Sequence, residues 1–233
     1  MPSRYFDNSR LAEGVRIAAG QVNNVSHINK FGFNPALSGS YETIHDAGGI
    51  YSYIGTPGTA TIAGASDSGA VIEVQGLDAD YNQVTEDITV GATGSVTFSR
   101  IFRARVKSLS SGTTNQGNIT VTVDSAVRAT ILTGNGQTLM ALYTIPADKK
   151  GYLKYFQGSV EKNQDVIFKI FTRNIDDGVF NLKGQFGTFG TPVTYDYQVP
   201  LEFGPKTDIE IQAKAGATTA GGAVFDLILV DER

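Results

Sequence analysis

From Thr138 onward the chain is a succession of short runs in which apolar and polar residues alternate, the period of two that lets a strand bury one face and wet the other. "TLMALYTIP", "YLKYFQGSVE", "DVIFKIFTRN", "VFNLKGQF", "VTYDYQVPLEF", "TDIEIQAKAG" and "AVFDLILVDE" give seven candidate strands. In "TDIEIQAKA", Ile209 and Ile211 point one way while Asp208, Glu210 and Gln212 point the other, towards water. Pro146, Pro192, Pro200 and Pro205 fall at run ends or in loops, where a missing N–H is tolerated. Aromatic residues such as Tyr143, Phe156, Phe168 and Phe203 recur at positions suited to filling a sandwich core. This region reads as an antiparallel sandwich, jelly-roll-like or Ig-like.

The same grammar starts near Tyr41. "GIYSYI" alternates, and "AVIEVQGLDADYNQVTEDITV" reads as strand, turn, strand, with "DADYN" as the turn. "VTFS", "FRARVKSLSS" and "NITVTV" follow, and "TGNGQ" at Thr133–Gln137 makes a strong break. Residues 1–40 lack a sustained period and read as an extended N-terminal arm with a short helical turn around Arg10–Ile17. The expected organisation is all-β: an arm at 1–40, a first β-sandwich module at 41–133 and a second at 134–233.

Composition narrows the function. A formal net charge of -4 argues against nucleic-acid binding, which calls for a basic face. No apolar run approaches the roughly 20 residues needed to cross a bilayer, and the N-terminus has no apolar signal core, so a soluble protein made without an export signal is expected. Cys 0 removes disulfides and cysteine nucleophiles. Gly 27, Trp 0 and only 18% charged residues describe strands and tight turns rather than helices.

Candidate chemistry is sparse. His27 and His45 lack a metal-ligand spacing, and His45 beside Asp46 has no serine in a nucleophile-elbow context, so both read as polar loop residues. "DADYN" begins like a calcium loop, but Gln83 stands where that loop needs Gly and Thr89 where it needs Glu; a self-bonded turn is the simpler reading. Glu86 and Asp87 are strand neighbours that point apart, "IDDG" (Asp176, Asp177) is a turn, and Asp231 and Glu232 are a charged end. "GNGQTL" lacks the third Gly of a phosphate loop. No catalytic residue, metal site or cofactor is expected. Two stretches suit partner contact instead. Arg100, Arg103 and Arg105 in "RIFRARVK" form either a charged edge strand or a contact for an acidic protein surface, and the Gly-rich "KGQFGTFGTPVTYDY" carries Phe186 and Phe189 at apolar tips.

"INKFGFNP…YETIHDAGGIY", "VIEVQGLDADYNQVTEDITV" and "GNGQTLMALYTIPADKKGYL" together resemble segments of tailed-bacteriophage virion proteins, often from marine phages. The resemblance spans most of residues 25–160 and implies a non-enzymatic structural role. A small acidic protein of two β modules with an unpatterned arm matches a capsid cement or decoration protein on the virion surface, made in the host cytoplasm. Such a protein binds the major capsid protein at capsomer junctions, commonly as a homotrimer whose closed symmetry hides edge strands. Phe31, Gly32, Phe33, Asn34 and Pro35 are then the capsid-gripping end of the arm, with Gly32 as its flexible point. The alternative is a neck, tail or head-fibre component that binds host glycans.

Overall fold

The computed structural model describes residues 12–161 and 164–232. Among the described residues, one helix, α1 (Glu13–Ala18), precedes sixteen strands in chain order. The first nine are β1 (Val25–Leu37), β2 (Glu42–Thr43), β3 (Gly58–Ala63), β4 (Val71–Leu77), β5 (Gln83–Thr89), β6 (Thr93–Phe98), β7 (Arg100–Ser108), β8 (Ile119–Val123) and β9 (Ala126–Ile131). Then come β10 (Leu142–Thr144), β11 (Lys149–Val160), β12 (Asp165–Asn174), β13 (Phe180–Phe189), β14 (Val193–Phe203), β15 (Thr207–Ala215) and β16 (Thr219–Asp231). The all-β expectation is met, and every strand pairing is antiparallel.

Four sheets make two sandwiches. In the first, β6-β3-β8-β9 faces β5-β4-β7. In the second, β1-β16-β11-β14 faces β10-β15-β12-β13, with β2 also paired to β15. Alternation does the work predicted of it: in β12, Val166, Phe168, Ile170 and Thr172 are buried while the residues between them are not. Phe156 of β11 meets Phe168 of β12 edge-on across the second core at 6.0 Å. The turn at Asp78–Asn82 closes as its composition implies, the Asp78 carboxylate accepting the backbone N–H of Asp80 and Asn82 at 2.9 Å each.

Residues 25–37 are not an arm. They form β1, paired with β16 from Val25↔Val230 to Leu37↔Thr219, so the second sandwich draws strands from before and after the first. The period was hidden because β1 is an edge strand with one bulge, between Asn34 and Leu37, at Pro35. Of the helical turn expected around Arg10–Ile17, α1 is the described part; Arg10 and the start of the arm lie outside the described residues. Gly32 is no flexible point either. A Cβ there would sit 2.3 Å from both Ala141 N and Ile44 O, so glycine is required for two backbones to pass.

Three further expectations change. "GIYSYI" pairs with no strand among the described residues; Tyr51 and Ile54 are buried, and the Tyr51 and Tyr53 hydroxyls donate to Ile101 O and Glu210 Oε2. Pro200 lies inside β14, which tolerates it because β14 pairs only with β11 and the ladder is irregular there. "TGNGQ" is less a linker than an added edge, since Val106 N donates to Gly136 O and Thr138 N to Ala104 O, capping the open side of β7.

Candidate functional site

The polar face of β15 does not meet water. Asp208 and Glu210 are 0% and 1% exposed, covered by Tyr51, Tyr53 and Arg100 of the first sandwich and its approach segment. Register explains the cluster from within: Asp208 pairs with Thr144 of β10 on one side and Arg173 of β12 on the other, so all three side chains rise from the same face. Thr144 Oγ1 donates to Asp208 Oδ1 at 2.7 Å and Arg173 Nε to Oδ2 at 3.0 Å. Arg100 then reaches across the joint, Nε to Oδ1 at 2.9 Å and Nη2 to Oδ2 at 3.2 Å.

Glu210 is held by uncharged donors, Thr43 Oγ1 at 2.5 Å, Gln212 Nε2 at 3.0 Å and Tyr53 Oη at 3.1 Å. Burial raises its carboxyl above the ordinary range even though these donors, and the charge of Arg173, pull the other way. Tyr53 is pushed well above its usual value by burial and then by the Glu210 charge. Burial works against the Arg100 charge more than any single contact supports it, but the Asp208 hydrogen bond and charge, with Tyr81 and Tyr53, together leave the guanidinium above its ordinary value. Both arginines stack over the Tyr53 ring, at 5.2 and 4.3 Å. With every carboxylate oxygen taken by a protein donor and none open to solvent, the cluster clasps two sandwiches together and offers no position for a reacting atom.

The three arginines of β7 are therefore distributed differently from the cationic edge that alternation suggests. Arg100 is buried on Asp208, Arg105 makes a fork to Glu73 at 2.7 Å on both arms, and Arg103 donates to Gln137 Oε1 at 2.6 Å. The acidic surface that Arg100 meets belongs to its own chain. Of the β1 residues expected to grip a shell, Asn34 is buried and its Nδ2 donates to Glu42 Oε2 at 3.1 Å, Phe31 is half-buried, and Phe33 and Pro35 are exposed.

His27 is exposed beside Asp226, its Nε2 3.6 Å from the carboxylate. His45 and Asp46 are buried, not loop residues in water. Burial lowers the His45 imidazole and pushes Asp46 up to about 7, the latter despite an N–H from Leu139. His45 Nε2 and Asp46 Oδ1 have no protein partner among the described residues.

Of the two apolar tips expected in the Gly-rich stretch, Phe189 is exposed among the described residues and Phe186 is not. β13 pairs only with β12 and β14 only with β11, so these consecutive strands form the free edges of both sheets at one side of the second sandwich. Phe189 and Val199 are 78% and 81% exposed, with Leu182 and Tyr195 also exposed. Phe186 instead turns inward and stacks on Phe156 at 4.9 Å. Sequence reasoning missed Tyr53, Arg173, Asp208 and Glu210. The available signal was an acidic strand face in the same chain as a strand of alternating arginines.

These features define an all-β protein of two antiparallel sandwiches joined by a buried ionic clasp. No family model matches the sequence, and no curated protein matches it. Among solved structures, the chain is similar to those of infectious bursal disease virus. For the Gt strain the identity is 10% and the TM-score 0.26, over 89% of this chain and 73% of that one. For the Gx strain they are 10% and 0.25, over 88% and 75%. Likenesses at that level carry no conclusion about what this chain does.

Proposed function

We propose that this chain is a non-enzymatic virion structural protein, a capsid cement or decoration protein that seats on the outer shell at capsomer junctions and stabilises the head. The observation that carries the reading is the free β13–β14 side, where Leu182, Phe189, Tyr195 and Val199 stand exposed on unpaired edges. An unpaired edge with apolar side chains is a liability in a lone monomer and a ready surface in an assembly. The "NKFGFNP", "GLDADYN" and "GNGQT" resemblance to tailed-phage virion proteins supports the same reading, as does the occupation of the buried carboxylates by structural partners.

In this role the β13–β14 side meets the major capsid protein or a neighbouring copy in a homotrimer, and repetition over the shell compensates for weak single contacts. Quantitative mass spectrometry of purified particles tests it. Hundreds of copies per particle, with particles less resistant to heat when the protein is deleted, is the expected result. A few copies, together with saccharide binding, would instead place it in the neck, tail or a head fibre.

A further inference from the structure

A cavity of about 180 Å³ lies where β1 of the second sandwich meets β4 and β7 of the first, and its walls carry cations without an acid between them. Lys30 is 8% exposed, and its Nζ donates to the backbone carbonyl of Phe102, which leaves two of its three donors without a protein acceptor among the described residues. Arg103 also lines the cavity and uses one N–H on Gln137. Thr138 lines it too; its Oγ1 accepts from Ala104 N, so its hydroxyl proton is free to donate inward.

The nearby acids are engaged elsewhere. Asp226 takes Asn29 Nδ2 at 2.5 Å and faces His27, while Glu73 is held by Arg105 and Gln75. The buried Lys30 beside the half-buried Arg103 leaves like charges facing one partly open cavity, a position an anion between them would relieve. At about 30 Å³ per water molecule, the cavity has space for a group of a few heavy atoms.

We propose that this cavity binds a compact oxyanion of phosphate size, gripped by Lys30 Nζ, the Arg103 guanidinium and the Thr138 hydroxyl. Burial, and then the charge of Arg103, lowers the Lys30 ammonium to about 7, so anion binding and Lys30 protonation reinforce each other. The other titratable groups lining the cavity are His27 on the same strand as Lys30, Arg103 on β7 and Tyr143 on β10, while Asp226 on β16 stands beside His27 outside the lining.

The test titrates the full chain with inorganic phosphate, sulfate and acetate at pH 6 and constant ionic strength, read by calorimetry and thermal shift. Saturable binding is expected, lost in Lys30→Met, weakened about tenfold in Arg103→Gln, and falling towards tenfold per pH unit above the Lys30 pKa. Saturation by phosphate and sulfate alone marks a tetrahedral site, and saturation by acetate as well marks a carboxylate site. Because Lys30→Met removes a buried hydrogen bond, a second readout uses the wild type: the Lys30 side-chain NMR titration moves up by about one pH unit in saturating phosphate. Identical thermal shifts in wild type and Lys30→Met, or a Lys30 titration unmoved by phosphate, overturn the proposal.

Discussion

Replacing Asp208 by Asn probes the clasp directly. The carboxylate is fully buried and receives Arg100, whose side chain is 8% exposed, and Arg173, whose side chain is 19% exposed. Asn keeps the shape and one acceptor but leaves two guanidinium charges facing a neutral amide. Removing one partner of a buried ion pair costs about 3–5 kcal/mol. The partial exposure of Arg173 and the acceptor retained by Asn favour the lower end, about 3 kcal/mol. For a chain of this length that is a fall in Tm of about 6–12 °C. Tyrosine fluorescence and circular dichroism during urea unfolding measure it, since the chain has Trp 0. Because Arg100 comes from the other sandwich, the variant should also lose the coincidence of its transitions, one sandwich melting before its partner. Arg100→Met combined with Asp208→Asn should cost less than the sum of the two, by about 1 kcal/mol or more. A single coincident transition within about 1 kcal/mol of wild type in Asp208→Asn would refute the clasp.

Other consequences follow from the same packing. Lys30 has a folded pKa of about 7 against 10.5 for an ordinary lysine, so the unfolded chain holds more protons between those values and stability rises with pH there; wild type should gain on Lys30→Met by up to about 1.4 kcal/mol per pH unit in that window, followed by urea midpoints at successive pH values. Asp46 has the opposite sign: its folded pKa of about 7 lies above 3.8, so the native state holds the extra proton and stability falls as pH rises between them. Asp46→Asn should flatten that fall and, at pH 8, match or exceed wild type in thermal melts. Gly32→Ala forces a Cβ to within 2.3 Å of two backbones and should cost at least about 1–3 kcal/mol or reduce soluble yield. Phe189→Lys with Val199→Lys should leave unfolding within about 0.5 kcal/mol of wild type yet abolish attachment to particles, scored by co-sedimentation.

What the sequence made legible was whatever depended on local period. All seven runs after Thr138 are strands, the hairpin across Asp78–Asn82 is present, and the exposed side at Phe189 lies in the Gly-rich stretch that suggested it. Non-local facts were not legible. Alternation assigns Asp208 and Glu210 to an outer face, but only tertiary packing decides whether an outer face meets water or a second sandwich. β1 escaped because its partner, β16, lies nearly two hundred positions away, as the Asn29–Asp226 separation of 197 shows, and because a proline bulge breaks its period. Arg100 illustrates both points. Its strand is readable, while its burial on Asp208, 108 positions away, is a property of the assembled fold.

The pairing of β1 with β16 also makes the connectivity nested, like a bracketed clause inside a sentence. The chain enters the outer sandwich at β1 and β2, leaves to build β3–β9, and returns at β10. Two covalent crossings therefore tether the inner unit, where a tandem arrangement has one, and a doubly tethered unit cannot swivel about a single hinge. During synthesis the inner unit is complete before β16 emerges, so β1 must wait for its partner while a finished sandwich forms behind it. The outer sandwich can close only once β16 is made, when the strand that presents Arg100 to Asp208 is already in place.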